Sequence, residues 1–342
     1  MTGADGSPIP APHGRIESVE IMRGLAALAV TWFHLTGGHE SVIRMSGYYG
    51  WLGVEVFFVI SGFVIPLSIA RGFGTFRLAD VPDYLIRRLV RLEPPYLVSV
   101  LMVVVLWELS ALAPGFAGGD PTWSIGQIIA HVAYAIPLTA YDWLQPVYWT
   151  LAYEFVFYIA VGLLFGAIAA APLVWIATAT ITVLAALGPL PPLSLLFIMG
   201  IAVFRRLQYG DPLALTAASV AAAGLMMAYE GHGLKAAVGA AAAALILTTI
   251  RLSAPRLIAR PLLWLGAMSY SLYLVHVPIG GRVVNLGRRF VPDTAAGELA
   301  LSLTALAVSL AAATLFYHVV EKPAIRASHR VRERKKARAA VT

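Results

Sequence analysis

Apolar runs long enough to cross a lipid bilayer recur along almost the whole chain, from residue 20 to residue 320, and that recurrence constrains the fold more than any other feature. A hydrocarbon core about 30 Å thick needs about 20 apolar residues per helix. Unpaired backbone groups are intolerable in lipid, so spanning segments must satisfy their own hydrogen bonds. Of the 342 residues, 59% are hydrophobic and only 13% charged, where a soluble domain carries about 25% charged residues. The sequence therefore predicts an all-α fold, a polytopic membrane helix bundle. Residues 1 to 18 hold no apolar stretch that could serve as a cleaved leader, so the first hydrophobic helix is expected to be a retained span. The absence of cysteine excludes disulfide and thiolate chemistry.

Candidate spans lie near 20–37, 50–70, 94–113, 126–140, 147–168, 172–187, 191–204, 212–228, 233–250, 262–280 and 297–320. The tail from Lys322 to Thr342 carries eight basic residues against the single acid Glu333, which accounts for the whole net charge of +7. Positive-inside bias and anionic lipid would hold such a tail in the cytoplasm. Nucleic acid is not an expected partner, because no folded soluble module accompanies the tail. The loop with Arg71, Arg77, Arg87, Arg88 and Arg91 follows the second span and puts the N-terminus on the same side. An even number of crossings is then required. The segment 126–140, short and containing His131 and Pro137, is the one expected to be re-entrant or interfacial, leaving about ten transmembrane helices. Arg282, Arg288 and Arg289 in the last outer loop run against this topology. The expected organisation is a cytoplasmic N-terminal tail (1–18), a membrane domain (19–321) and a basic cytoplasmic C-terminal tail (322–342).

Charges inside the membrane are costly and mark functional positions. In the first span Arg23 and His34 are eleven residues apart, which leaves them about 20° from eclipsed and about 16 Å apart along one helix face. Thr36, Gly37 and Gly38 loosen the helix just beyond the histidine. Glu154, in "PVYWTLAYEFVFY" (146–158), enters from the outer side toward similar depth and is a candidate partner for Arg23 or His34. Glu55, in "GVEVFFVISGF" (53–63), reads as a carboxylate that pairs with a nearby cation to hold helices together, with Ser61 and Gly62 as a small packing step. In "RRLVRLEPPY" (87–96), Arg88 and Arg91 stand at i, i+3 and share a face. Pro94 and Pro95 are expected to end that short helix and begin the next span. A guanidinium pair beside a helix N-terminus would suit phosphate. His276 lies near the outer end of its span and reads as a structural hydrogen-bonder. His39 and Glu40 lack a third ligand at suitable spacing, so no metal is expected.

These segments, with "WTLAYE" (149–154), "LGAMSYSLYLVH" (265–276) and "YHVVEKP" (317–323), resemble the integral-membrane acyltransferase-3 family over residues 15 to 324. The resemblance implies O-acylation of bacterial surface polysaccharides or secondary metabolites at the bacterial cytoplasmic (inner) membrane. An acyl group, commonly acetyl, would pass from cytoplasmic acyl-CoA to a hydroxyl of a glycan, lipid-linked glycan or macrolide-like acceptor. By position it makes His34 the catalytic histidine, Arg23 its companion, Arg88 and Arg91 the contacts to CoA and Glu154 a support, with Glu55, Ser61 and Trp149 as supporting residues. Glu55, Thr150 and Lys322 stand where the family usually has Asp, Ser and Arg. A secondary transporter or flippase of a lipid-linked or glycosidic substrate would also place Arg, His and Glu inside the membrane. It would show inverted repeats, whereas the intramembrane charges here cluster before residue 155.

Overall fold

The computed structural model describes residues 16–38, 41–73, 75–112, 121–170, 191–253 and 255–339, with side chains as far as residue 331. The expected span 172–187, the pair His39–Glu40 and most of the N-terminal tail lie outside the described residues. Every regular element among the described residues is helical. In chain order these are α1 (Glu17–Thr36), α2 (Val42–Gly47), α3 (Gly53–Gly72), α4 (Val81–Ala111), α5 (Ile125–Val132), α6 (Trp149–Ala169) and α7 (Ser194–Tyr209). There follow α8 (Leu213–Tyr229), α9 (Gly233–Thr249), α10 (Arg256–Ala267), α11 (Ser269–Val275), α12 (Gly281–Gly287), α13 (Ala295–Phe316) and α14 (Lys322–Ala339). Two π-helical turns interrupt the last part, at His276–Gly280 and Tyr317–Glu321.

Among the described residues, four helices are long and apolar enough to cross a bilayer, or five if the bent pair Arg256–Ala267 and Ser269–Gly287 counts as one. The apolar helices α8 and α9 have 17 residues each, about 26 Å at 1.5 Å per residue. In α1 the residues Glu20, Arg23 and His34 dilute the apolar run. The segment 126–140 forms the eight-residue α5 and a 3₁₀ turn at Ile136–Leu138, and it is not among those spans. One expectation fails at Pro94–Pro95. Helix α4 runs unbroken through both prolines, so the helix that carries Arg88 and Arg91 continues as the span. The two missing N–H groups free the Val90 and Arg91 carbonyls, and in the same turn the Tyr270 hydroxyl donates to the Leu92 carbonyl at 3.0 Å, which ties α4 to α11 beside the prolines.

The chain divides into two compact units. One comprises residues 1–29, 51–81 and 157–267. In it α7 is buried continuously from Leu195 to Arg205, as expected of a helix apolar all round. Helices α3 and α7 cross with their backbones almost touching. A Cβ on Gly62 would lie 2.2 Å from the Phe197 carbonyl oxygen, and one on Gly200 2.1 Å from that of Val59. The small step at Ser61–Gly62 is thus a backbone crossing. The start of α1 meets α10 the same way, with a Cβ on Gly266 falling 2.2 Å from the Glu20 carbonyl oxygen. Arg205, 2% exposed, locks the far end of α7. It pairs with both Asp211 oxygens at 2.8 and 2.7 Å and donates to the Ile168 and Ala169 carbonyls that end α6, the orphan acceptors of a helix C-terminus.

The other unit comprises residues 30–50, 82–156 and 268–342. Its core includes a layer of Leu35, Val284, Leu301 and Ala305, and α13 packs along α11, α12 and the turn between them. Arg282 belongs to this packing. It donates to the Pro278 carbonyl at 2.7 Å and the Ser110 hydroxyl at 3.2 Å, so it braces the π turn and is not a free loop charge of the kind that sets topology.

The glycine crossing predicts that Gly200→Ala lowers stability by about 1–3 kcal/mol through overpacking. Gly166 on α6 meets nothing within 4 Å, so Gly166→Ala should be neutral or stabilising by about 0.5–1 kcal/mol. Thermal melts of the detergent-solubilised variants check this, and equal melting temperatures would contradict the crossing.

Candidate active site

Helix α1 presents His34 two residues before its C-terminus, half-buried. Its Nδ1 lies 2.9 Å from the Val30 carbonyl oxygen one turn back. A carbonyl can only accept, so Nδ1 carries the proton. The same nitrogen lies 3.3 Å from Nε2 of His276. His276 in turn has its Nδ1 2.9 Å from the Leu272 carbonyl, which puts its proton on Nδ1 and leaves Nε2 an acceptor. Both assignments agree. The Nδ1–H of His34 is shared between a carbonyl and a neutral, fully buried imidazole, and the lone pair of His34 Nε2 is left for chemistry.

His276 owes its position to three local devices. It opens the π turn at the end of α11, a wide turn of a kind frequent at functional sites. The N-terminus of α11 is capped from another element, since the buried Glu321 carboxylate accepts from the Ser271 amide at 3.1 Å and from the Ser271 hydroxyl. Tyr273, one turn before His276 and 5.9 Å from it ring to ring, shares a 2.8 Å hydrogen bond with Thr150 at the start of α6. The sequence motifs "WTLAYE" and "SYSLYLVH" therefore meet here. His276, read from sequence as a structural hydrogen-bonder, has that role through Leu272 and is also a polar partner of His34. Its lateral contact, made across 242 residues, leaves no periodic trace. The signal available was a histidine two residues before Pro278 in a span that has no Asp, Glu, Lys or Arg.

A second cluster of the same unit holds the arginines. Arg88 and Arg91 are half-buried on one face of α4, with the Arg88 guanidinium 6.0 Å from the Tyr84 ring centroid. Arg88 and Glu154 both lie within electrostatic reach of the Tyr84 hydroxyl, and Glu154 also of Tyr134. Glu154 sits a turn and a half into α6, half-buried. Its neighbourhood is thus the arginine cluster, and the polar partners of His34 are Val30 and His276. Tyr134 is the one non-glycine residue with positive φ among the described residues, at 53°, a strained geometry for a bulky side chain. Stacking holds it between Tyr96 at 5.1 Å and Phe155 at 4.7 Å. The expectation of a helix N-terminus beside the guanidinium pair fails with the continuous α4, whose N-terminus lies two turns before Arg88.

The remaining candidates take up packing positions. Arg23 is half-buried next to Gly24, whose backbone meets Gly266. Glu55, 2% exposed, has Lys235 at 3.8 Å as its cation, and Lys235 also lies 5.4 Å from the Trp51 ring. Ser61 is half-buried at the α3–α7 crossing, and Trp149 packs edge-on to Tyr153 at 5.6 Å. Below α4, His131 of α5 is fully buried. Its Nε2 accepts from the Leu144 amide at 3.2 Å, so Nδ1 donates to the Tyr96 hydroxyl at 2.9 Å. Burial lowers its pKa from 6.5 to about 4, and protonating Nε2 would set it against an N–H donor.

A family model described as an acyltransferase domain matches residues 16–318. A Bacillus subtilis (strain 168) protein named "Putative peptidoglycan O-acetyltransferase YrhL" is 29% identical over 93 residues, which are 27% of this chain and 14% of that protein. No solved structure matches.

The His131 geometry predicts an acid-sensitive fold. Above pH 6.5 the imidazole is neutral in folded and unfolded chains alike. As pH falls from 6.5 toward 4 the unfolded chain takes up a proton that the folded chain refuses, so stability drops across that window. Melting temperatures of the solubilised protein between pH 4 and 7 check this, and His131→Gln should flatten the dependence. An equally steep fall in the variant would contradict it.

Proposed function

The chain belongs to the acyltransferase-3 family, and on that premise we propose that it transfers an acyl group, acetyl in the simplest case, from cytoplasmic acyl-CoA to a hydroxyl of a glycan or related acceptor. The observation that carries this reading is the tautomer of His34: a donated Nδ1–H and an uncommitted Nε2 are what a general base needs. In the reaction, Nε2 takes the proton of the acceptor hydroxyl as its oxygen attacks the thioester carbon. The new C–O bond replaces the C–S bond, and the proton then passes to the departing CoA sulfur, giving free CoA thiol. His276 acts as a positioning residue. Its Nε2 accepts the Nδ1–H more strongly once His34 becomes imidazolium, so the pair favours the charged state formed during reaction.

Arg88 and Arg91 supply the cationic end of this scheme. Two guanidinium groups on one helix face grip phosphate oxygens through paired N–H donors, and Glu154 orients that cluster through its field at Tyr84 and Tyr134. The peptidoglycan named for the Bacillus relative makes a surface glycan the first acceptor to test. About ten crossings in the inner membrane, with both termini cytoplasmic, would put the arginines on the acyl-CoA side and the end of α1 on the outer side.

Acyl-CoA-dependent thiol release by the purified protein tests the chemistry. His34→Ala should lose about 10²–10⁴ in turnover while melting normally; unchanged turnover would overturn the assignment. His276→Leu should lose at least about tenfold through the wrong tautomer. His276→Gln keeps an acceptor oxygen and should retain more activity than His276→Leu, and equal losses would argue against the positioning role. Arg88→Lys should raise the acyl-CoA KM by about tenfold with little change in kcat; an unaltered KM would remove Arg88 from the donor site.

A further inference from the structure

A cavity of about 310 Å³ opens at the end of α1 that carries His34, lined by Gly38, Arg288, Val291, Asp293, Glu298 and Leu301. The proposed chemistry uses none of these residues. Gly38 stands four residues past His34, about one helical turn. Leu301 also belongs to a buried apolar layer with Leu35, the residue after His34. Glycine at position 38 makes room for the Arg288 guanidinium, since a Cβ there would fall 2.3 Å from its Nη2. Glu298, 7% exposed, is held by the Ser41 hydroxyl. Arg288 and Asp293 are exposed on the connection between α12 and α13, and Glu298 stands in the first turn of α13, so the polar lining comes from one stretch of chain that faces Gly38.

The chemistry of this lining selects a ligand class. Asp293 and Glu298 accept from hydroxyl groups, and Arg288 donates to ring or hydroxyl oxygens. Two carboxylates against one guanidinium leave the lining with a net negative charge, which disfavours phosphate or carboxylate ligands. The volume is at the lower end of the ~300–1,000 Å³ typical of ligand pockets. We infer that this cavity, at the His34 end of α1, is the acceptor subsite and holds one neutral polyhydroxylated ring, a monosaccharide unit. The inference rests on the acyl-transfer reading for its use, but the binding itself requires no turnover.

The test uses the absence of cysteine from the chain, so that Val291→Cys provides a single thiol on the cavity wall. Its rate of labelling by a maleimide is measured in nanodiscs, with N-acetylglucosamine as the neutral probe and N-acetylmuramic acid as the anionic one. N-acetylglucosamine should slow labelling several-fold and N-acetylmuramic acid should not. Asp293→Asn and Arg288→Gln, each in the same background and each melting normally, should abolish the protection. Equal labelling with and without N-acetylglucosamine would overturn the subsite, and equal protection by the anionic sugar would overturn the neutral-ring assignment. Thiol release in the His34 variants reports on the catalytic reading alone, so the two failures are told apart.

Discussion

One shared proton organises the candidate site: the Nδ1–H of His34, held between the Val30 carbonyl and Nε2 of His276. A carbonyl four residues back fixes the tautomer from within the helix, and a second imidazole fixes it from a neighbouring element. Neither partner can donate in this arrangement, so the protonation of His34 at rest is decided by geometry. What remains is a single basic nitrogen on a half-buried ring, in a part of the chain where a charged side chain would be expensive.

Much of the surrounding structure serves to keep His276 in place. A helix of seven residues, Ser269–Val275, is too short to be stable by propensity alone. Glu321 caps its start, Thr150 hooks its middle through Tyr273, and Arg282 ties down the π turn that follows it. These residues come from the start of α6, from α12 and from the π turn after α13, and each spends a polar group that would otherwise be unsatisfied in an apolar setting.

The parts of this arrangement that obey a local period could be read from the chain. Arg23 and His34 share a face because eleven residues nearly close three turns, and Ser61–Gly62 marked a close crossing as two adjacent small residues inside an apolar run. Glu55 was expected to find a cation, and Lys235 is that cation. What depends on contacts distant in sequence was not legible. The apposition of His34 and His276, the docking of Arg205 on the last α6 carbonyls and the capping of α11 by Glu321 are set by tertiary packing. Pro94–Pro95 misled for a related reason: proline predicts a helix end from local hydrogen bonding, and here the helix continues through both, in a turn that Tyr270 ties to α11 from 178 residues away. Glu154 was offered as a partner of Arg23 or His34 on depth, and depth alone does not show that it also lies within electrostatic reach of Tyr84 and Tyr134.

The tautomer of His34 can be observed directly. Nitrogen-15 solid-state NMR of the protein in lipid, with labelled histidine and His34 assigned by its loss in His34→Ala, separates protonated from unprotonated ring nitrogens. The account predicts a neutral ring with Nδ1 protonated and Nε2 bare, and a mixture of tautomers once His276 is replaced by leucine. A His34 ring protonated at Nε2 in the unaltered protein would contradict it.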